Sequence, residues 1–215
     1  MPFEILTESE VRVLGTLMEK EATTPEYYPM SLNALINGCN QKSNRDPLVS
    51  YDAEIVEAAL EGLRQKKLAL FVTGGGRVGK YAQRISETLN LGRRESAILC
   101  TLFLRGPQTL GEVRDRSERM FAFHDLPETE RQLEKLAEWP TGALVTRLAR
   151  QPGQKEARYA HLLAGQPTIT QASSEGESVA QPLTRVGQLE KDLQDLQSEL
   201  EQLKSRFDAL EAQLR

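Results

Sequence analysis

The sequence predicts a mainly α-helical protein with small β-hairpins, in which two tandem copies of one unit precede a C-terminal coiled-coil helix. Three observations lead to this fold class. Three helical stretches and a hairpin follow one another along the first part of the chain. The same order returns about 78 residues later. Beyond residue 184, apolar residues alternate steps of three and four without a break, which is typical of a coiled coil.

The first helix begins at a capping box. Thr7 precedes Glu10 by three residues, so that its hydroxyl accepts one unpaired helical amide while the carboxylate accepts the amide of the capping residue. We expect this helix to run through about Glu21. Its apolar face consists of Val11, Leu14, Leu17 and Met18.

Two further helices follow. The prolines of TTPEYYP end the first helix, and Ser31 caps a short second helix that ends near Gly38. The polar stretch CNQKSNRDP then separates it from a third helix, which Ser50 or Asp52 caps. The apolar residues of the third helix are Ile55, Val56, Ala59, Leu60 and Leu63.

A glycine-turned hairpin follows the third helix. LALFVT at 68–73 and residues 78–84 predict two strands around three consecutive glycines. Three helices and a hairpin wing form the order of a winged helix-turn-helix. CNQKSNRDP is then either a solvated turn or the connection that lies near the DNA backbone when such a motif binds DNA.

The second unit repeats this order. ESAILCTLFLR resembles EVRVLGTLMEK, GPQTLGEV corresponds to YYPMSLNAL, and the third helix recurs at 126–139. ALVTRLA and RYAHLL replace the two strands, with Tyr159 equivalent to Tyr81. We therefore predict one winged-helix domain over residues 1–88 and another over residues 89–165.

The remaining residues predict a linker and a dimer. Residues 166–184 are rich in Ser, Gln, Gly and Pro, which is typical of a flexible linker. Residues 185–215 form a heptad pattern whose apolar seam predicts a parallel homodimer, with a trimer or an antiparallel fold-back as alternatives. The seam residues are Val186, Leu189, Leu193, Leu196, Leu200, Leu203, Phe207, Leu210 and Leu214.

Composition is that of a folded protein. Of the 215 residues, 39% are hydrophobic and 27% are charged, which is ordinary for a protein with a buried core. The N-terminus has neither a basic start nor an apolar run, and no stretch of about 18 apolar residues occurs. We therefore expect a cytoplasmic protein without a membrane segment.

The sequence offers little for metal or catalytic chemistry. Cys39, Cys100, His124 and His161 are its only cysteines and histidines, and they are too scattered for a metal cluster. We expect structural, reduced thiols and no cofactor. No Ser/His/Asp, Cys/His or paired-carboxylate spacing suggests catalysis, so we do not expect an enzyme.

One stretch has the outline of a phosphate-binding loop. GGGRVGK follows an apolar strand and satisfies the spacing of such a loop. Tyr81, however, occupies the position where a Ser or Thr hydroxyl would hold magnesium. The corresponding turn of the second unit, PGQK, lacks this outline and suits a hairpin. We therefore interpret GGGRVGK as the turn of the first wing.

Nucleic-acid binding would depend on a local basic patch. Residues 166–215 carry 5 Lys/Arg and 9 Asp/Glu, which leaves 22 of each sign in residues 1–165. A neutral body and a pI near 5.4 give no general attraction to phosphate. Candidate contacts lie in the wings and connections. They are Lys42, Arg45, Arg77, Lys80, Arg84, Arg114, Arg116, Arg119, Arg147, Arg150, Lys155 and Arg158.

Each of these features has an alternative interpretation. The basic residues would serve equally as ion-pair partners that hold the two domains together. The third helices carry acidic first halves, which repel phosphate where a recognition helix usually contacts bases. Four aromatic residues offer stacking groups, although packing within the protein is favoured for them. They are Tyr27, Tyr28, Phe121 and Phe123.

Three long strings of the sequence are distinctive: EVRVLGTLMEKEATTPEYYPMSLNALINGCNQKSNRDP, LRGPQTLGEVRDRSERM and RQPGQKEARYAHLL. They resemble the YceH-like family of uncharacterised bacterial proteins, over about residues 5–165. The resemblance implies a tandem winged-helix fold and a bacterial, cytosolic setting. It implies no activity, substrate or catalytic residue.

Two classes of function follow from these observations. The first is a non-catalytic, DNA-associated protein whose wings and helix-connecting loops contact the phosphates of duplex DNA. The second is a protein-interaction scaffold whose winged helices bind a partner chain. The acidic third helices and the neutral body favour the scaffold, whereas the basic wings favour DNA.

Overall fold

Two helices, α1 and α5, form the centre of the fold. The computed structural model describes residues 4–73, 79–150 and 153–167, where seven helices accompany two small antiparallel sheets. α1 spans Glu8–Thr23 and α5 spans Arg93–Arg105. The two pack against each other, and the middle of each is buried on all sides. The described protein is therefore a mixed α/β structure built around a helix pair.

The first half continues from α1 with a single 3-10 turn at Pro25–Tyr27. The following elements are β1 (Met30–Ser31), α2 (Leu32–Cys39), α3 (Ala53–Gln65), β2 (Ala69–Val72), β3 (Lys80–Gln83) and α4 (Ile85–Thr88). The three strands form an antiparallel sheet in the order β1-β3-β2. β2 is therefore an edge strand.

The second half repeats this arrangement after α5. Its elements are β4 (Gln108–Thr109), α6 (Leu110–Ser117), α7 (Leu126–Ala137), β5 (Val145–Arg147) and β6 (Arg158–His161). The sheet order is β4-β6-β5. β1, β4 and α4 do not emerge from the sequence pattern, because two-residue strands and a single helical turn are too short to produce periodicity.

The predicted helix starts are confirmed. The amide of Glu10 donates to Thr7 Oγ1 over 3.2 Å, and the amide of Thr7 donates to Glu10 Oε2 over 2.7 Å. Ser31 caps α2, and Asp52 rather than Ser50 caps α3. These caps are local, since each links residues three apart, and sequence therefore specifies them well.

The two central helices approach closely at Gly15. A Cβ atom placed there would lie 2.9 Å from Phe103 Cβ and 3.0 Å from Leu104 Cδ2. The Cys100 thiol donates to the Gly15 carbonyl over 3.2 Å. One hydrophobic core extends through both halves. Glycine is required here because a side chain would separate the helices.

Several predictions concern other parts of the chain. The predicted coiled coil at 185–215 lies outside the described residues, as does the predicted linker apart from residues 166–167. The five residues 74–78, which include Arg77 and most of GGGRVGK, also lie outside them. Within the described ranges, no helix is long and apolar enough to cross a membrane.

Candidate nucleic-acid interface

The polar connection between α2 and α3 contains a buried ion pair. Arg45 is only 5% exposed. Its Nη2 lies 2.7 Å from Glu19 Oε2 and its Nη1 lies 3.3 Å from Glu19 Oε1, while Nε and Nη2 also donate to the Gly38 carbonyl. These acceptors occupy the guanidinium within the protein. Arg45 therefore stabilises the connection and is not available to a phosphate.

The same connection joins the two halves of the protein. The amide of Asp46 donates to the Leu104 carbonyl over 2.9 Å, and Arg105 donates to Asn44 Oδ1. Leu104 and Arg105 belong to α5, so both bonds cross between the halves. The middle of CNQKSNRDP is accordingly a structural bridge, whereas Lys42, nearer its start, is exposed.

Besides Arg45, four of the candidate cations form ion pairs. Arg84 Nε lies 2.9 Å from Glu87, and Arg114 Nη2 lies 2.7 Å from Asp115. Glu112 receives two arginines: Arg116 over 3.2 Å and Arg158 over 3.3 Å. Such partly exposed pairs each contribute about 1 kcal/mol or less to stability. Each of these pairs lies within one half of the protein, so none of them holds the two halves together.

Six other candidates are exposed and form no ion pair within the described residues. Three of them, Arg147, Arg150 and Lys155, belong to the second hairpin, which we define as residues 145–161. The others are Lys42, Lys80 and Arg119. Half of these unpaired candidates therefore lie on the second hairpin, where side chains on an exposed element suit phosphate contact.

The third helix of each half presents acidic side chains to solvent. On α3, Glu54, Glu57 and Glu61 are exposed. Near the C-terminal end of α7, Glu134 and the C-cap residue Glu138 are exposed. Four of these carboxylates repel phosphate, whereas the carboxylate of Glu61 is paired with Arg64. Neither helix therefore resembles a recognition helix that inserts into the major groove.

Most of the candidate aromatic residues pack inside the protein. The rings of Phe121 and Phe123 meet edge to face with centroids 4.8 Å apart, and the Arg94 guanidinium lies 5.3 Å from the Phe121 centroid. The Tyr28 hydroxyl accepts the amide of Gln83. Tyr27 differs, since 75% of its surface is exposed. Only Tyr27 among the four is placed for stacking on a base.

The two hairpins expose different chemistry at the same position. Phe71 pairs with Tyr81 in the first hairpin, and Arg147 pairs with Tyr159 at the equivalent position of the second. On the edge strand β2, Leu70 is 40% exposed and Phe71 is 47% exposed. The first hairpin therefore carries an apolar surface where the second carries a cation.

The described residues offer no site for a metal. No group of three or more His, Cys, Asp and Glu side chains within them converges to hold an ion. Both cysteines are buried, and burial raises the pKa of the Cys39 and Cys100 thiols above the ordinary value. A raised thiol pKa lowers the fraction of reactive thiolate. These thiols therefore pack as small apolar groups.

Comparison with known proteins gives consistent results. Residues 6–154 match the family model described as "Protein of unknown function, DUF480". A UPF0502 protein of Solibacter usitatus is 50% identical over 205 residues, which cover 94% of this chain and 98% of the relative. A UPF0502 protein of Pelobacter propionicus is 50% identical over 215 residues, with 97% and 98% coverage. A third, of Geotalea daltonii, is 54% identical over 192 residues, with 87% and 88% coverage.

Proposed function

We propose that this chain, which belongs to the DUF480 family, is a non-catalytic protein that contacts the phosphates of duplex DNA. In this proposal each half is a winged helix, because helix, strand, two helices and a hairpin follow one another in both. The second hairpin is the main contact, and Lys42, Lys80 and Arg119 extend it.

One observation carries the proposal: the second hairpin exposes Arg147, Arg150 and Lys155 without ion-pair partners in the described part of the chain. A phosphate that meets such a side chain displaces a condensed counterion, and the release favours binding. Binding should therefore be independent of sequence and steeply dependent on salt.

The acidic third helices determine the form of contact. They disfavour insertion into the major groove, so the duplex would lie across the second hairpin rather than along α7. Contacts that reach only the phosphates hold a duplex in position but do not read its base sequence. We accordingly expect random duplexes of equal length to bind with equal affinity.

Fluorescence anisotropy with a random duplex of about 20 base pairs tests the proposal. The variant Arg147→Glu/Lys155→Glu should bind about 10- to 100-fold more weakly at low salt, and its salt slope should fall by about 2. The matched control is Arg93→Glu/Arg131→Glu, which changes the net charge equally at exposed residues outside the hairpin. The control should bind within about twofold of the parent chain.

Two results would contradict this proposal. If the parent chain binds no duplex at low salt, contact with DNA is wrong. If the hairpin variant and the control lose affinity equally, net charge rather than the second hairpin is responsible. The anisotropy titrations should therefore include all three proteins at each salt concentration.

A second candidate function rests on the first hairpin. Leu70 and Phe71 lie exposed on an edge strand, beside Glu61 and Arg64 of α3. An edge strand has unpaired backbone groups that an extended partner segment can engage. A scaffold of this kind should retain a partner chain from nuclease-treated lysate. The variant Leu70→Ser/Phe71→Ser should then lose that partner, and retention of the partner would contradict the scaffold.

Pairing through residues 185–215 would add avidity to either function. In parallel register the charged residues at facing positions attract, which supports a homodimer. Those pairs are Arg185 with Glu190, Glu199 with Lys204 and Arg206 with Glu211. Two linked copies bind a duplex more tightly than one. Sedimentation equilibrium on the full chain and on a chain ending at residue 180 tests this, since a full-length monomer would contradict it.

A further inference from the structure

A narrow cleft between the two halves is lined by three arginines. It has a volume of about 20 Å³, and its polar walls include Glu19, Asn44, Thr101, Arg105, Arg116 and Arg119. These residues come from α1, the connection after α2, α5, α6 and the turn that follows α6. The cleft therefore exists only because the two halves pack together.

Positive charge in this cleft exceeds the negative charge that could neutralise it. Among the described residues, Glu19 is the only acidic one in its lining, and its carboxylate is already held by Arg45. Arg119 is exposed and has no ion-pair partner within the described residues. Arg105 forms one hydrogen bond there, to Asn44 Oδ1, although a guanidinium offers five N–H donors. Several donors are therefore free.

The arginines also repel one another. Burial lowers the pKa of Arg105 below its ordinary value, and the charges of Arg116 and Arg45 lower it further. Arg116 is only partly compensated, because it shares the Glu112 carboxylate with Arg158. An added anion would relieve this repulsion.

The size of the cleft limits what the anion is. A volume of about 20 Å³ holds about one water-sized atom. An oxyanion would thus insert one oxygen and keep its others at the mouth, where Arg119 is exposed. Phosphate has this shape, and arginine forks match its oxygens.

We propose that this cleft binds one phosphate group, with Arg105 and Arg119 as its principal donors and Arg116 as a supporting charge. Free phosphate and the phosphodiester of a DNA backbone share this chemistry. Only the second source rests on the function proposed above. Binding at this position bridges the two halves and should stabilise their packing.

Thermal unfolding of the full chain tests the proposal at constant ionic strength. Sodium phosphate at about ten times its dissociation constant should raise Tm by about 3–5 °C relative to sodium chloride. Arg119→Gln should weaken phosphate binding about tenfold, and Arg119→Lys should have an intermediate effect because it keeps the charge but loses the fork. The matched control Arg131→Gln, on an exposed face of α7, should respond like the parent chain.

Duplex binding then identifies the source of the phosphate. If Arg119→Gln reduces the phosphate response and also lowers the DNA salt slope by about 1, the cleft takes a backbone phosphate. If it reduces the phosphate response alone, the cleft takes free phosphate, and this holds even when the parent chain binds no DNA. Equal effects of chloride and phosphate, or an undiminished phosphate response in Arg119→Gln, would overturn the proposal.

Discussion

The two halves of this protein share an interior and differ in surface. Phe71 and Arg147 occupy equivalent positions opposite Tyr81 and Tyr159, yet one exposes an apolar ring and the other a cation. The connection after α2 is also longer than the connection after α6, and only the longer one contains the buried Arg45. The repeated packing therefore constrains the interior residues of both halves, whereas residues at equivalent exposed positions are free to differ.

The interiors repeat even their polar contacts. Thr16 donates to the carbonyl four residues earlier over 2.8 Å, and Thr101 does the same over 2.9 Å. A buried glutamate in the first turn of each central helix meets a lysine over 2.6 Å. Burial would raise the pKa of one of these, Glu95, but hydrogen bonds from Lys135 and from backbone amides lower it. Because unpaired buried charges are costly, these contacts are strongly constrained.

Removing the buried ion pair between Glu19 and Arg45, which has no counterpart in the described residues of the second half, should lower stability the most. Arg45→Met leaves the buried Glu19 carboxylate with only Lys20, whose Nζ lies 3.9 Å from Glu19 Oε2, so the free energy of unfolding should fall by about 3 kcal/mol. Urea unfolding followed by circular dichroism measures this. Lys42→Met, in the same connection but exposed, should change stability by less than about 0.5 kcal/mol.

The double variant Glu19→Met/Arg45→Met sharpens this test. It removes both charges, so it should recover most of the stability that Arg45→Met loses. If the double variant is as unstable as the single one, the pairing of Arg45 with Glu19 is not what stabilises the connection. The hydrogen bonds of Arg45 to backbone carbonyls would then be responsible.

The next largest effect should be a pH dependence of stability that arises in the second half alone. Burial lowers the pKa of His161 to about 4, whereas Gln83 occupies the equivalent position of the first hairpin. The unfolded chain binds a proton near pH 6.5 that the folded chain accepts only near pH 4. Stability should therefore be unaffected above about pH 7.5 and fall by about 3 kcal/mol as pH drops to 4.

Replacing His161 with glutamine, the residue at the equivalent position of the first hairpin, tests whether His161 causes this pH dependence. Unfolding of His161→Gln, measured from pH 8 to pH 4, should lack that part of the pH dependence. Carboxylates such as Glu95 contribute in both proteins, so the difference between the two curves is the informative quantity. If the curves run parallel, the His161 prediction is wrong.

A side chain added at Gly15, where the two central helices approach closely, should lower stability by a smaller amount. Gly15→Ala places a methyl group against Phe103 and Leu104, and overpacking of this kind costs more than the helix propensity of alanine returns. The free energy of unfolding should therefore fall by about 1–2 kcal/mol. Gly111→Ala in α6 meets nothing within 4 Å, so it should be neutral or stabilise by about 0.5 kcal/mol. Stabilisation by both changes would contradict a tight contact at Gly15.

Exchanging the residues that distinguish the hairpins should have the smallest effect. Arg147→Phe installs the first-half residue in the second hairpin and would remove one of the proposed phosphate contacts. Duplex affinity at about 0.1 M salt should fall about 3- to 10-fold, with a salt slope smaller by about 1. Phe71→Ala should leave duplex affinity unchanged. A loss of duplex binding by Phe71→Ala would show that the first hairpin also contacts DNA.

Local patterns predicted much of the fold but less of the candidate site. The caps at Thr7, Ser31 and Asp52 are recognisable because each depends on residues three apart. Arg105 was absent from the predicted phosphate contacts, since it lies in the last turn of a helix that the pattern treats as core. Conversely, Arg45 was included because its neighbours in the sequence are polar. Its burial depends on Glu19, 26 residues earlier.

Most helix starts, the repeated order of the elements and the family resemblance are all predictable from the sequence. The packing of the folded chain adds two features: α1 and α5 are buried on every side of their middle turns, and the polar connection holds the halves together. The physical reason is range. Periodicity and caps report neighbours within one or two turns, whereas the contact between Asp46 and Leu104 joins residues that meet only after both halves have folded.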